Sequence, residues 1–317
     1  MNRTIQIVLI LAILAIAAVV LYDSLSTRID KRPDNPYQFS VEEFKPVDES
    51  LLSHREVRQI EVDNPVAFTW QNGKLFLLSG NSLQVITPEG RELLNKRIDF
   101  NPRSVLVDKH GQIIISYENY LVALDSEGNE LYRSEMLDEN SLLTSLAISG
   151  ETLFVADAGK RQVWILNMEL ETIESFRGES GVSDVHGFIL PSLHFHLAVN
   201  EEDELWITNS GMHRIQNYSL TGRLRRDWGE PSFSIEGFSG CCNPYYFAFL
   251  SDGRFVTSEK GIIRVKIYRE SGELESVVAP AAMFPNGEKA PAIAVDENDH
   301  IWLLDFDKKM LRLFRPV

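Results

Sequence analysis

From residue 55 onward, the chain alternates short apolar runs with polar turns in a pattern that recurs six times. Each unit has an apolar strand, a polar turn, a second apolar strand and a third strand, and most units add a fourth. Alternation of apolar and polar positions within such short runs predicts antiparallel strands in sheets packed face to face. The mean spacing of about 45 residues is typical of the four-stranded blades of a β-propeller. The units start at Pro65, Pro102, Leu143, His194, Pro244 and Ala290.

The sixth unit has no fourth strand, because the sequence ends at Val317 directly after its third strand. The segment 55–63 (REVRQIEVD) precedes the first unit and has the pattern of a fourth strand. We therefore expect residues 55–317 to form an all-β, six-bladed β-propeller with four antiparallel strands per blade, closed by this N-terminal strand. Closure removes the open sheet edges that a linear stack would leave. A β-sandwich is the alternative, and six matched units argue against it.

Four of the units resemble the NHL repeat, in which a strand ending in Asp is followed by Arg-Ile/Val-x-x-Tyr/Phe. The matching segments are FVADAGKRQVWIL at Phe154, WITNSGMHRIQNY at Trp206, FVTSEKGIIRVKIY at Phe255 and IWLLDFDKKMLRLF at Ile301. The resemblance implies the propeller fold over residues 55–317. It does not imply one function, because NHL propellers include binding modules and a few metal-dependent enzymes. The segment GCCNPYYFAFLSDGRFVTSEKGIIRVKIY is also similar to secreted or membrane-anchored bacterial propellers, which implies location only.

Residues 5–22 form a run of roughly 18 residues without a charge, near the lower limit for a membrane-spanning helix. No small-residue cleavage site closes the run, so we expect residues 1–24 to be an uncleaved transmembrane signal anchor. A cleaved signal peptide is the alternative. Residues 25–54 contain three prolines and no clear periodicity, which predicts an extended spacer. The propeller is then expected on the periplasmic or extracellular side of the membrane.

Composition limits the partners more than it identifies them. The 317 residues carry a formal net charge of -15, so binding to the phosphate backbone of a nucleic acid is not expected. The two cysteines, Cys241 and Cys242, are adjacent and cannot supply a disulfide framework. No P-loop, GxSxG or HExxH motif is present, so the sequence indicates no standard catalytic site.

Departures from the repeat point to one face of the ring. The connections 178–193, 229–243 and 279–289 are longer than their counterparts, and all three join one blade to the next. Connections of this kind lie on the same face as the turns between second and third strands, and loops on rigid scaffolds commonly carry function. Topology brings several potential ligands of zinc or copper to this face: His186, His194, His196, His213, Cys241 and Cys242. Glu259 and Lys260, in a second-to-third strand turn, are further candidates for acid–base chemistry on this face.

Each of these interpretations has a structural alternative. The cysteines can form a vicinal disulfide that only shapes the loop, or can be buried and inert. The histidines can bond backbone carbonyls between blades, and Glu259 with Lys260 can be an ordinary solvated turn.

The main functional hypothesis is an anchored binding module whose loop-covered face holds a protein, a glycan or a small molecule. The alternative is a metal-dependent lyase or hydrolase with a His/Cys site over the central channel. A redox or copper-handling accessory protein is a third hypothesis, which rests on the cysteine pair alone.

Overall fold

The computed structural model describes residues 3–26, 40–178 and 187–317. The chain divides into two compact units, Met1–Glu43 and Phe44–Val317. The first unit contains helix α1 (Arg3–Ser26). Its stretch Ile5–Ser24 is long and apolar enough to cross a membrane, and none of that stretch is buried. A fully exposed apolar helix is typical of a membrane anchor or a signal sequence, since a helix of the core would be covered.

In its described residues, the second unit is built from 24 strands in six four-stranded antiparallel sheets. Blade one contains β2 (Pro65–Gln71), β3 (Lys74–Ser79), β4 (Ser82–Ile86) and β5 (Glu92–Arg97). Blade two contains β6 (Ser104–Val107), β7 (Ile113–Ser116), β8 (Leu121–Leu124) and β9 (Glu130–Arg133). Blade three contains β10 (Leu143–Ser149), β11 (Thr152–Asp157), β12 (Gln162–Leu166) and β13 (Thr172–Phe176).

The remaining blades follow the same plan. Blade four contains β14 (Leu197–Val199), β15 (Leu205–Asn209), β16 (Arg214–Tyr218) and β17 (Leu224–Trp228). Blade five contains β18 (Tyr246–Phe249), β19 (Phe255–Ser258), β20 (Val265–Tyr268) and β21 (Leu274–Ala279). Blade six contains β22 (Ala292–Val295), β23 (Ile301–Asp305), β24 (Met310–Pro316) and, from the other end of the chain, β1 (His54–Glu61). Short 3-10 helices are formed by Val41–Phe44, Glu49–Leu51, Ser210–Met212 and Ala281–Met283.

Strand β1 closes the ring by pairing antiparallel with β24, from His54 opposite Pro316 to Glu61 opposite Met310. The all-β six-bladed fold and its closure by an N-terminal strand are thus confirmed. The closing strand also carries an ion pair, because Glu56 on β1 meets the buried Arg312 on β24 at 2.8 Å between Oε2 and Nη2. The two ends of the propeller unit are therefore joined by backbone hydrogen bonds and by a charged contact.

The core lies between the blades, where the faces of neighbouring sheets meet. One apolar cluster joins residues of blades three and four around Phe154, Phe195 and Tyr218. Another joins blades four and five, where the indole ring of Trp206 meets the ring of Phe255 edge-on at 4.9 Å. Burial of such large rings between sheets explains why the tryptophans fall on strands rather than in the loops.

Two faces of the ring follow from the strand order. We call the side with the blade-to-blade connections and the second-to-third strand turns the loop face. The opposite face carries the turns between first and second strands, and from that side a central channel of about 1200 Å³ opens. Acidic side chains, such as Asp108, Glu151, Glu201 and Glu297, line this mouth, and Lys109 is a basic exception. Anionic ligands are disfavoured there by charge.

Candidate functional site

The His-x-His pair at the start of blade four bridges two inner strands. The Nε2 of His194 donates to the carbonyl oxygen of Tyr245, and the Nε2 of His196 donates to that of Phe247, each at 2.9 Å. The two rings lie parallel, 6.2 Å apart, as alternation along an extended segment predicts. The inner strand of a blade has one unpaired edge, and here the histidines of blade four satisfy carbonyls on that edge of blade five.

Neighbouring blades use the same device with smaller side chains. The hydroxyl of Thr144 in blade three donates to the carbonyl of Phe195, at 2.6 Å. The hydroxyl of Ser258 in blade five donates to the carbonyl of Pro291, at 2.7 Å, ahead of blade six. The hydroxyl of Ser145 lies 3.1 Å from Nδ1 of His196, which accepts a hydrogen bond when Nε2 carries the proton. The histidines therefore belong to a series of side-chain contacts that link blade three to four, four to five and five to six.

Partial burial favours the neutral form of both imidazoles. Loss of hydration lowers the pKa of His194 to about 3 and that of His196 to about 4, although each accepting carbonyl opposes the shift. The ring of His194 also stacks on that of Tyr245, with centroids 3.8 Å apart. A neutral, stacked imidazole with its Nε2 proton committed to a carbonyl is positioned for structure rather than for proton transfer.

Three fully buried charged side chains hold the backbone of the 229–243 connection. Glu259, Arg264 and Lys266 have no exposed surface. The carboxylate of Glu259 lies 2.9 Å from Nη2 of Arg264 and 2.8 Å from Nζ of Lys266. These two cations lower the pKa of Glu259 against the opposing effect of its burial, while burial lowers the pKa of Lys266 to about 8. Glu259 therefore lies beneath the loop and has no access to solvent.

The three buried charges, Glu259, Arg264 and Lys266, form hydrogen bonds to the backbone of the 229–243 connection. Arg264 donates to the carbonyls of residues 233 and 234, and Lys266 donates to those of residues 235 and 237. Tyr268 donates its hydroxyl to the carbonyl of residue 236, at 2.9 Å. Glu259 accepts from the backbone N–H of Ser239, also at 2.9 Å. Five consecutive carbonyls of this loop are thus satisfied by side chains of strand β20 and the turn before it.

Glu259 fills a position that recurs in other blades. Asp157 ends the second strand of blade three and accepts from the N–H of Leu142, in the connection that enters that blade, at 2.9 Å. Asn209 does the same in blade four for the N–H of Ile189. The repeat therefore places an acid or amide at the end of the second strand to hold the incoming connection. In blade five that acid is Glu259, one residue beyond the strand end.

The remaining candidates of the loop face gather around the end of the same connection. His213 donates from Nε2 to the carbonyl of Gly240. Cys241 and Cys242 are both free thiols, with their sulfur atoms 3.2 Å apart. Lys260 is half-buried and places its ammonium 5.5 Å from the ring centre of Tyr245. His186 lies outside the residues that the structure describes.

Within the described part of the chain, the candidate donors are not gathered into a group of metal ligands. Within the described ranges, which exclude residues 179–186, no group of three His, Cys, Asp or Glu side chains is arranged to hold one. His194, His196 and His213 each commit Nε2 to a carbonyl. A zinc or copper site stays a prediction for His186, His194, His196, His213, Cys241 and Cys242.

Comparisons with known proteins support the fold alone. No family model matches this chain, and no curated protein matches it in sequence, so membership of the NHL family stays a prediction. A streptogramin B lyase structure is similar with a TM-score of 0.57 at 12% identity, covering 85% of this chain and 100% of that chain. Virginiamycin B lyase from Staphylococcus aureus gives 0.55 at 11%, covering 80% of this chain and 82% of its own.

A protein of unknown function from Bacteroides thetaiotaomicron gives a TM-score of 0.58 at 12% identity, covering 83% of this chain and 72% of that chain. Neighbours that share the ring thus include lyases and proteins without an assigned function. The class that the fold defines is therefore the six-bladed β-propeller.

Proposed function

We propose that this chain is a membrane-anchored propeller that binds a protein partner through its loop face, on the outer side of the membrane. The main support for this proposal is a set of exposed apolar side chains on three successive connections of that face. Phe100, Met136 and Leu193 are exposed to 68%, 62% and 75%. Exposed aromatic, methionine and leucine side chains on a mostly polar surface are typical of protein-binding sites.

Preorganisation of the neighbouring loop supports the same proposal. Burying Glu259, Arg264 and Lys266 is costly, because each charge loses its hydration and must regain the energy from close partners. The contacts regained here fix the backbone of the 229–243 connection, while its surface side chains stay available. A loop held rigidly in the free protein lowers the entropy cost of binding. Glycan and small-molecule ligands have less support, because the exposed set is apolar and spread over several connections.

The central channel, with a volume of about 1200 Å³, supports a specific function less well. A channel follows from ring closure in any propeller. Several acids at its mouth are already used in turns: Asp108 accepts from the N–H of His110, and Asp299 accepts from Ser251. The loop face, in contrast, is where this chain departs from its own repeat.

The alternative hypothesis of a metal-dependent lyase or hydrolase is supported by the ring fold shared with two lyases. The donor geometry among the described residues adds nothing to it. The accessory role in redox or copper handling has the close thiol pair in its favour, since the two sulfur atoms lie 3.2 Å apart.

The test compares two faces of the same domain. The full-length protein is crosslinked in native membranes, and partners are quantified by mass spectrometry for wild type, Phe100→Asp, Leu193→Asp and a matched control, Leu131→Asp. Leu131 is a similarly exposed apolar side chain on the outer strand β9. We expect at least a tenfold loss of specific partners with the two loop-face variants and no loss with the control. Equal recovery with all four proteins, or equal loss with the control, would contradict the proposal.

A further inference from the structure

The two cysteines form a close pair of unequal accessibility. Their sulfur atoms are 3.2 Å apart, and neither is bonded to another cysteine. Cys241 is exposed on the loop face, whereas Cys242 is 4% exposed. Burial and the contact with Cys241 raise the pKa of the Cys242 thiol, while Ser192 and the Lys260 ammonium oppose that rise. The Cys241 thiol can therefore react with a reagent from solution, and the buried Cys242 thiol lies 3.2 Å from it.

The backbone on both sides of the pair is fastened. The carbonyl of Gly240 accepts from His213. The amide side chain of Asn243 donates to the carbonyl of Ser239 at 2.6 Å and to that of Lys260 at 3.0 Å. It also accepts the N–H of Lys260 at 2.9 Å. The pair is thus presented at a fixed place on the loop face.

We propose that Cys241 and Cys242 are a dithiol site for low-molecular-weight disulfides such as glutathione disulfide, and that the reaction closes them into a vicinal disulfide. The inference goes beyond the proposed binding function, since it requires no partner on the loop face.

The reaction proceeds in two exchanges. The thiolate of Cys241 attacks one sulfur of glutathione disulfide, a mixed disulfide forms, and one glutathione thiolate leaves. The thiol of Cys242 loses its proton to solvent, and its sulfur attacks the Cys241 sulfur of the mixed disulfide and releases the second glutathione. The two cysteines lose two protons and two electrons in total, and one glutathione disulfide is reduced to two glutathione molecules. No metal or other cofactor is needed.

Closure reshapes the end of the loop. Adjacent Cα atoms are about 3.8 Å apart across a trans peptide, below the ~4.4–6.8 Å usual for disulfides, so the backbone at residues 241 and 242 must adjust. That adjustment reaches the hydrogen bond between His213 and Gly240. Phe238 lies in the same loop and packs on the indole ring of Trp228, at the end of strand β17, with ring centroids 5.8 Å apart. Trp228 therefore supplies an intrinsic fluorescence reporter.

The test titrates the purified full-length protein, in detergent, with mixtures of reduced and oxidised glutathione. Remaining thiols are trapped by alkylation, and the peptide containing both cysteines is weighed by mass spectrometry. In the wild type we expect loss of both alkylatable thiols without retained glutathione, reversal by dithiothreitol and a parallel change in tryptophan fluorescence. Cys242→Ser should retain one glutathione on Cys241, whereas Cys241→Ser should react at least tenfold more slowly.

The wild-type arm is decisive even if a serine variant fails to fold. Two thiols that stay alkylatable at every glutathione ratio would overturn the proposal. So would a stable glutathione adduct on the wild type, because it would show that Cys242 does not displace the bound thiol. Neither result bears on partner binding, so this proposal and the binding proposal fail independently.

Discussion

The Nε2 of His196 lies 2.9 Å from the carbonyl oxygen of Phe247 and links the inner strands of blades four and five. His194, two residues earlier, makes the same bond to Tyr245. A histidine pair with the sequence signature of metal ligands thus serves as a fastening between blades. Its neutral state has a consequence for the pH dependence of stability.

The wild-type protein should lose stability as the pH becomes mildly acidic. Replacing His196 with Gln should reduce this loss. The imidazole titrates near 6.5 in the unfolded chain and at about 4 in the folded chain. Between these values the unfolded chain binds more protons, so folding is progressively disfavoured as the pH falls below 6.5. At pH 5 this penalty is about 2 kcal/mol, and the variant lacks it. The check is the change in unfolding free energy between pH 7.5 and pH 5, from urea titrations.

His110→Gln is the matched control for this measurement. His110 is exposed in a turn of blade two, so its replacement removes an imidazole without removing a link between blades. His194→Gln should behave like His196→Gln, because its pKa is lowered to about 3 for the same reason. An unchanged pH dependence in both variants would show that the two rings are not buried in the neutral form.

Glu259→Gln should destabilise the propeller by about 3–5 kcal/mol. The substitution leaves Arg264 and Lys266 as buried cations without their carboxylate, and an uncompensated buried charge is among the costliest single changes. Glu130→Gln is the control, because it breaks the exposed pair with Arg133, which lies at 2.6 Å, and should cost less than about 1 kcal/mol. Urea unfolding at pH 7 measures both. Comparable small losses would contradict the structural role of Glu259.

Purified protein should contain well under one equivalent of zinc or copper. The basis is the engagement of His194, His196 and His213 with backbone carbonyls. Elemental analysis after exposure to each metal and gel filtration gives the stoichiometry. A stoichiometric metal that is lost on His194→Ala would contradict this expectation and favour the metal-dependent lyase or hydrolase.

Removing residues 1–62 should cost far more stability than removing residues 1–43. The shorter deletion leaves β1 paired with β24, so its melting temperature should stay within a few degrees of the full-length protein. The longer deletion opens the ring and leaves Arg312 without Glu56, and we expect a fall of more than about 10 °C or aggregation. Calorimetry and size-exclusion chromatography separate these outcomes. Equal stability of the two truncated proteins would argue against closure by β1.

The exposed thiol of Cys241 should react with a membrane-impermeant maleimide added to intact spheroplasts under reducing conditions. This outcome is expected if the propeller lies outside the cytoplasmic membrane. Cys241→Ser is the control for specificity, because Cys242 is buried. Labelling that requires lysis of the spheroplasts would place the propeller in the cytoplasm instead.

The ring was predictable from sequence because its signal is repeated. Strand alternation recurs in every blade, and the closing strand, expected over 55–63, is observed over His54–Glu61. Because six units share the same strand pattern, one irregular blade does not change the predicted fold. The same reasoning placed the connections 229–243 and 279–289 on one face.

The site was less predictable, because its geometry depends on contacts between residues far apart in the chain. Alternation correctly places His194 and His196 side by side, but their acceptors lie 51 residues away in the next blade. The role of Glu259 was missed, since it stands one position later than Asp157 and Asn209 do in their blades. The available signal was an alignment of Asp157, Asn209 and Glu259 by the connection that each one holds. Aligning the blades by strand ends leaves Glu259 one position out of register.

Ring closure also sets an order of events in synthesis. Strand β1 emerges first, yet its partner β24 is made about 256 residues later, as the Glu56–Arg312 pair shows. The blades between them can form early, whereas the ring can close only after β24 has emerged. Contacts of such long sequence separation form slowly, and unpaired strand edges invite association with other chains in the meantime. The closing strand that stabilises the finished propeller therefore also leaves a long interval in which the nascent ring depends on protection from aggregation.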